Sequence, residues 1–219
     1  MRCLGKRAPA PLPCAKPGCF HGLRQAEVPD ADFDLELNQV IGRTLESDIP
    51  LYAGMSPATG RKLKRLMAVV STLAPFKPNM TRLAGQIGAS RNSIDEYLML
   101  MERAGMAAQL KTGARGIGAL GKAEKVYLDN TNILFNLAEG AQDVGTVRET
   151  FFFSQMRVRN DVWASAASDF SIGDFTFEVG GRSKGRAQLA GVENGYVVKD
   201  GIESGSPGVV PLWAFGLNY

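Results

Sequence analysis

The chain has 219 residues, 45% of them hydrophobic, with a mean hydropathy of −0.08 and a formal net charge of +3. This composition suits a globular protein with one large or two small cores. No apolar run approaches the ~18 residues of a spanning helix, which excludes a helical membrane protein and leaves no membrane partner; nor is there the apolar stretch of a signal peptide, so the expected location is cytoplasmic.

Charge is unevenly placed along the chain. Residues 1–60 hold 6 Lys/Arg against 7 Asp/Glu, residues 61–125 hold 12 against 4, and residues 126–219 hold 7 against 11. The middle is therefore at +8 and the tail at −4. A concentrated basic block points to DNA as partner rather than to a merely solvated face.

The first 29 residues are rich in Pro and small side chains and lack an apolar period, so they are read as a disordered leader. Cys3, Cys14 and Cys19 lie there beside the single histidine, His21, but their spacings match no common zinc finger. From Asp30 to Arg43, Phe33, Leu37, Val40 and Ile41 recur at helical spacing, and the helix is expected to end before Asp48-Ile49-Pro50. Pro57, behind the cap candidate Ser56, opens a further helix. Its apolar stripe is Leu63, Leu66, Met67 and Val70, and Arg61, Lys62, Lys64 and Arg65 form a basic flank. Pro75 and Pro78 then break the chain.

Asn79 to Met106 carries the strongest local signal. Leu83, Ala84 and Ile87 mark a short helix, Gly88 suits its left-handed end, and Ser90 is placed to cap a second helix. That helix buries Ile94, Tyr97, Leu98 and Met101 on one face. This is a helix-turn-helix pattern, and Arg91, Asn92 and Ser93 at the start of the second helix are positioned to reach bases or phosphates. Two strand candidates follow, Ala107–Leu110 and Lys125–Leu128, around a Gly- and Lys/Arg-rich loop. Such a wing would bring Lys111, Arg115, Lys122 and Lys125 to a phosphate backbone. Gly116–Ala123, GIGALGKA, comes close to a phosphate-binding loop, but Ala123 stands where the magnesium-holding Ser/Thr is needed and a strand follows instead of a helix.

Beyond Asp129 the character changes. Thr146–Met156 reads as a buried helix carrying Glu149 among aromatics. Trp163–Ala166 is strand-like, and Asp169–Ile172 and Phe175–Val179 are joined by Gly173-Asp174, a loop suited to a type II′ turn. That turn sets a register in which Ile172 faces Phe175, Phe170 faces Phe177 and Asp169 faces Glu178. Two carboxylates so placed repel unless a cation lies between them or one is protonated. Asp169 and Glu178 are thus the candidate ligands of a magnesium ion, with Glu149 arriving from the helix. Gln188-Leu189 falls in a short helix, Gly195–Asp200 is another strand, and Pro211–Tyr219 is apolar and packs onto the sheet.

The order of these pieces, a helix-turn-helix, a wing ending in KVYLDNTNI, VRETFF, DFSIGDFTFEVGGRSK and PLWAFG, resembles the C-terminal half of a prokaryotic AAA-type P-loop ATPase family. There a winged helix is followed by a domain of unknown function similar to the PD-(D/E)xK restriction-nuclease fold. The resemblance runs from about Phe33 to the end. It implies an α+β protein: a winged helix-turn-helix at 61–130, a small α/β nuclease-like domain at 131–219, and a helical remnant at 30–60 leading to an ATPase core absent from this chain. ATP would bind only in that missing domain, and the expected partners are DNA, an ATPase domain or a second copy. Asp169 and Glu178 then stand at the nuclease motif's acidic positions, with Glu149 as the helix acid. The lysine due two residues after Glu178 is replaced by Gly180, and Lys184 is the candidate substitute. The expected function is a DNA-binding accessory region with a degenerate nuclease-like domain; the alternative is an active magnesium-dependent nuclease using Glu149, Asp169, Glu178 and Lys184.

Overall fold

The computed structural model describes residues 30–113, 123–137 and 142–217. The three cysteines, His21, Arg115, Lys122 and most of the GIGALGKA stretch lie outside the described residues. The chain is a mixed α+β protein whose described residues fall into two compact units, one within Arg24–Gln142 and one within Asp143–Tyr219. No helix among the described residues is long and apolar enough to cross a membrane.

The first unit opens with α1 (Asp30–Arg43), which does not stop before Pro50. It runs through a π-helical turn, Thr44–Asp48, into a short α2 (Ile49–Tyr52). Proline lacks the N–H that a regular helix bonds at that point, and its ring crowds the preceding turn. The wider π turn just before it accommodates the helix direction without a clash. α3 (Pro57–Leu73) begins on Pro57, as the sequence leads one to expect, but Ser56 makes no side-chain cap bond. Its stripe Leu63, Leu66, Met67 and Val70 is almost fully buried.

α4 (Met80–Ile87) and α5 (Arg91–Arg103) carry the local chemistry that sets their ends. The Arg82 N–H donates to Asn79 Oδ1 at 3.0 Å, Gly88 sits at φ 69°, and the Ser93 N–H donates to Ser90 Oγ at 3.1 Å. A left-handed residue closes α4 and a new cap opens α5 only two positions later. β1 (Ala107–Thr112) and β2 (Ala123–Leu128) then pair antiparallel, Ala107 opposite Leu128 and Leu110 opposite Lys125, with a bulge between Leu110 and Lys111. Phe76 bridges Val126, adding a short third edge. α6 (Thr131–Leu137) packs on α1, α3 and β2. The division between units therefore falls after Gln142, not at residue 130 as the sequence reading placed it, because α6 completes the first core.

The second unit packs α7 (Val144–Met156) on a mixed sheet of β3 (Trp163–Ala164), β4 (Phe170–Ile172), β5 (Phe175–Gly180), β6 (Gly195–Lys199) and β7 (Val209–Pro211), in that spatial order. The first two pairings are antiparallel and the last two parallel. Phe152 of α7 is fully buried, 5.1 Å from Phe170, 5.3 Å from Phe177 and 4.8 Å from Phe215 between ring centres. Phe215 lies in the closing 3-10 turn Leu212–Leu217, so the aromatic tail does cover the sheet.

Candidate nucleic-acid interface and acidic centre

Two groups of predicted residues can be placed. On the first unit, α5 presents Arg91, Asn92, Asp95, Glu96 and Met99 on its exposed face. An open groove of about 990 Å³ runs over this face and is also lined by Asn79, Lys77 and Lys111. Arg91 and Asn92 are exposed as the sequence leads one to expect. Ser93 is not free for a base: it is half-buried, its hydroxyl 2.8 Å from Ser90 Oγ in the cap of α5. Lys111 lines the groove, while Lys125 is half-buried on β2 opposite Leu110. The positive charges beside the groove are partly answered, since Lys77 pairs with Glu124 at 2.6 Å. Glu102 accepts from the Gln109 N–H and side-chain amide at 2.9 and 3.0 Å, which ties α5 to β1.

On the second unit the hairpin register is the one read from the sequence. Phe170 pairs with Phe177 and Ile172 with Phe175. Gly173 has φ 55° and Asp174 has no positive φ, the signature of a type II′ turn. Asp169 and Glu178 are the next residues outward from the last pair, Phe170 and Phe177. Their carboxylates, however, are satisfied differently. Asp169 Oδ2 accepts the Val179 N–H at 2.9 Å, whereas Glu178 is buried, 1% exposed, at the centre of a polar cluster.

Three side chains converge on Glu178. Lys184 forms an ion pair with Oε1, Ser168 donates its hydroxyl to Oε2, and the Gln188 amide turns its nitrogen to the carboxylate in the orientation that satisfies both. Lys184 reaches Glu178 by lying across Gly180. A Cβ at position 180 would meet its Cγ, Cδ and Cβ at 2.6, 2.7 and 2.8 Å. The glycine that displaces the expected lysine thus makes room for the stem of another. The hydrogen bond to Glu178 raises the Lys184 pKa, burial opposes this, and the charges of Glu178, Asp169 and Glu149 add to the rise. The ammonium is therefore held charged.

Glu178 already has a lysine counter-ion: both its oxygens have donors, and one Asp169 oxygen is held by backbone. A divalent cation bound by Asp169 and Glu178 would have to take the place of the Lys184 ammonium. Glu149 acts on Lys184 through its charge. Ser168 and Gln188 were not recognised from sequence. The only signals were their positions: Ser168 immediately before Asp169 on the β3–β4 connection, and Gln188 four residues after Lys184 on the connection that must cross from β5 to the parallel β6.

A second buried pair stands at the ends of the same strands. Arg148 of α7 donates to Asp200 Oδ2 at 3.0 Å through Nε and at 2.9 Å through Nη2, and the Asp200 N–H bonds Gly180 O. Asp200 is 3% exposed, and its Oδ1 has no hydrogen-bond partner among the described residues. Burial raises its pKa, against the hydrogen bond and charge of Arg148.

The geometry defines an α+β protein with a capped helix pair and strand hairpin in one unit and a buried carboxylate–lysine centre in the other. Residues 18–143 match a family described as a domain of unknown function, DUF8612, and the chain belongs to that family. The match ends where the second unit begins. No curated protein matches. Among solved structures, a crystal structure of NadR in complex with 4-hydroxyphenylacetate is similar at 17% identity and a TM-score of 0.24, covering 51% of this chain and 72% of that one. A likeness at that level carries no argument about fold or ligand.

Proposed function

We propose that the protein binds duplex DNA through its first unit, a winged helix with α4–α5 as the helix-turn-helix and β1–β2 as the wing. The observation that carries this reading is the α4–α5 pair: two capped helices around a left-handed Gly88, preceded by α3 and followed directly by an antiparallel hairpin. In this role Arg91 and Asn92 meet the major groove. Lys111, with Arg115, Lys122 and Lys125 of the wing sequence, supplies affinity for the phosphate backbone. The second unit is a PD-(D/E)xK-like domain whose acidic centre is closed by Lys184 and serves structure rather than cutting. Such a protein acts as the DNA-binding accessory part of an AAA-type ATPase, with an ATPase domain or a second copy as partner.

Fluorescence anisotropy on a labelled duplex tests the DNA reading. Affinity is expected to fall steeply between ~50 and ~200 mM salt, and each of Lys122→Ala and Lys125→Ala should reduce the slope by about 1. Absent or salt-insensitive binding would remove the reading.

A second reading, a magnesium-dependent DNA nuclease, is favoured by one observation: Lys184 does reach Glu178 across Gly180. It requires Lys184 to withdraw from Glu178 before a cation enters. Incubating duplex, branched and single-stranded DNA with magnesium or manganese decides between the two. Cleavage abolished by both Asp169→Ala and Glu178→Ala would establish the nuclease and end the structural reading.

A further inference from the structure

The exposed face of α5 is not the uniformly basic surface that phosphate binding alone would favour. Arg91, Asp95 and Met99 follow one another at steps of four residues, with Asn92 and Glu96 beside them. All but Asn92 line the groove of the first unit. Glu102 is spent on Gln109 and Lys77 on Glu124. Arg91, Asp95 and Glu96 make no ion pair among the described residues. Two carboxylates on a helix that enters DNA meet repulsion from phosphate everywhere except where a base offers a donor. In the major groove the donors are the amino groups of cytosine and adenine, and a carboxylate accepts from cytosine N4 in the pairing that geometry favours.

Resting on the DNA-binding reading above, we propose that Asp95 and Glu96 determine specificity by each accepting the free amino hydrogen of a different cytosine, while Arg91 reads a guanine nearby. The helix rises ~1.5 Å per residue, so Arg91 and Asp95 are offset by about 6 Å along α5. Bases along one strand are spaced ~3.4 Å apart, so with α5 lying along the major groove the two contacts fall about two base steps apart. The recognised site is a G·C-containing duplex in which guanine and cytosine occupy positions at that separation. The acids exclude sites that lack the amino group, because there they are left unpaired beside phosphate.

Selection from a randomised duplex library, followed by affinity measurement on the enriched site and on scrambled DNA, tests this. Wild type should enrich cytosine about two steps from a guanine. Asp95→Asn/Glu96→Gln should lose the cytosine preference and about tenfold of discrimination, and Arg91→Ala the guanine preference. All three positions are exposed, so the variants keep the fold, which circular dichroism checks. If the acid-to-amide variant binds every duplex more tightly by one common factor, the carboxylates only repel and the proposal is overturned. It is equally overturned if wild type selects no cytosine while still binding DNA in a salt-dependent way. Absence of binding to any duplex by wild type and variants alike would instead bring down the DNA reading on which the proposal stands.

Discussion

Replacing Lys184 by methionine should isolate what the ion pair with Glu178 contributes. Methionine keeps an apolar stem over Gly180 but removes the ammonium. The Glu178 side chain is 2% exposed and that of Lys184 is 36% exposed. Stripping the partner from a fully buried charge costs ~3–5 kcal/mol. Here Lys184 is screened in part by solvent, and Ser168 and Gln188 still face the carboxylate, so the expected loss is about 2 kcal/mol. Glu178→Gln alone should also destabilise. The double variant Glu178→Gln/Lys184→Met should lose less than the sum, with a coupling of about 1–2 kcal/mol, since no charge is left buried without its partner. Urea unfolding followed by tryptophan fluorescence is a suitable assay, because Trp163 and Trp213 both lie in this unit. The raised pKa of Lys184 gives the sign of the pH dependence. The pair contributes fully below the ordinary lysine value of 10.5 and loses its contribution only as pH climbs through the raised folded value. Strict additivity of the two single changes, or a Lys184→Met effect within about 0.5 kcal/mol of zero, would refute the counter-ion argument.

Other outcomes follow from the same structure. Asp200→Asn should remove a contribution to stability that declines as pH rises above the ordinary aspartate value. The folded state holds the Asp200 proton to higher pH than the unfolded chain does, so wild-type stability falls as pH rises from the ordinary aspartate value to the raised one, and the asparagine variant should lack that slope in urea titrations at several pH values. Gly88→Ala should cost about 1 kcal/mol through its positive φ alone, since an added Cβ meets nothing within 4 Å. Asn79→Ala and Ser90→Ala should each cost about 1 kcal/mol by removing a cap, read by far-ultraviolet circular dichroism during urea unfolding because both tryptophans lie in the other unit. Phe152→Ala should cost ~3–5 kcal/mol and broaden the near-ultraviolet spectrum of the second unit, because the ring is fully buried against Phe170, Phe177 and Phe215.

The features legible in the sequence are those made by neighbours along the chain. The caps at Asn79 and Ser90, the left-handed Gly88 and the Gly173-Asp174 turn all depend on contacts within a few residues. The turn in turn fixed which residues of β4 and β5 face each other, Phe170 with Phe177 and Ile172 with Phe175. Even so, residue type misled where one side chain had two possible uses. Ser93 looked available for DNA, but its hydroxyl is bonded to Ser90, a choice decided by helix-cap geometry. Pro50 looked like a helix stop, but a π turn and packing of Leu45 and Ile49 carried the helix past it.

Tertiary structure decided how charge is neutralised. Sequence could say that two facing carboxylates need a cation, but not which one supplies it. The parallel pairing of β5 with β6 requires a crossing connection, and that path lays Lys184 over Gly180 and turns Gln188 toward Glu178. Arg148 and Asp200 meet across fifty-two positions of sequence for the same reason: the sheet end and α7 are brought together by the aromatic core, not by any local pattern. Spacing along a chain encodes turns, caps and register, because those interactions have short reach. The partner of a buried charge is chosen by packing over the whole unit, and only the folded chain shows it.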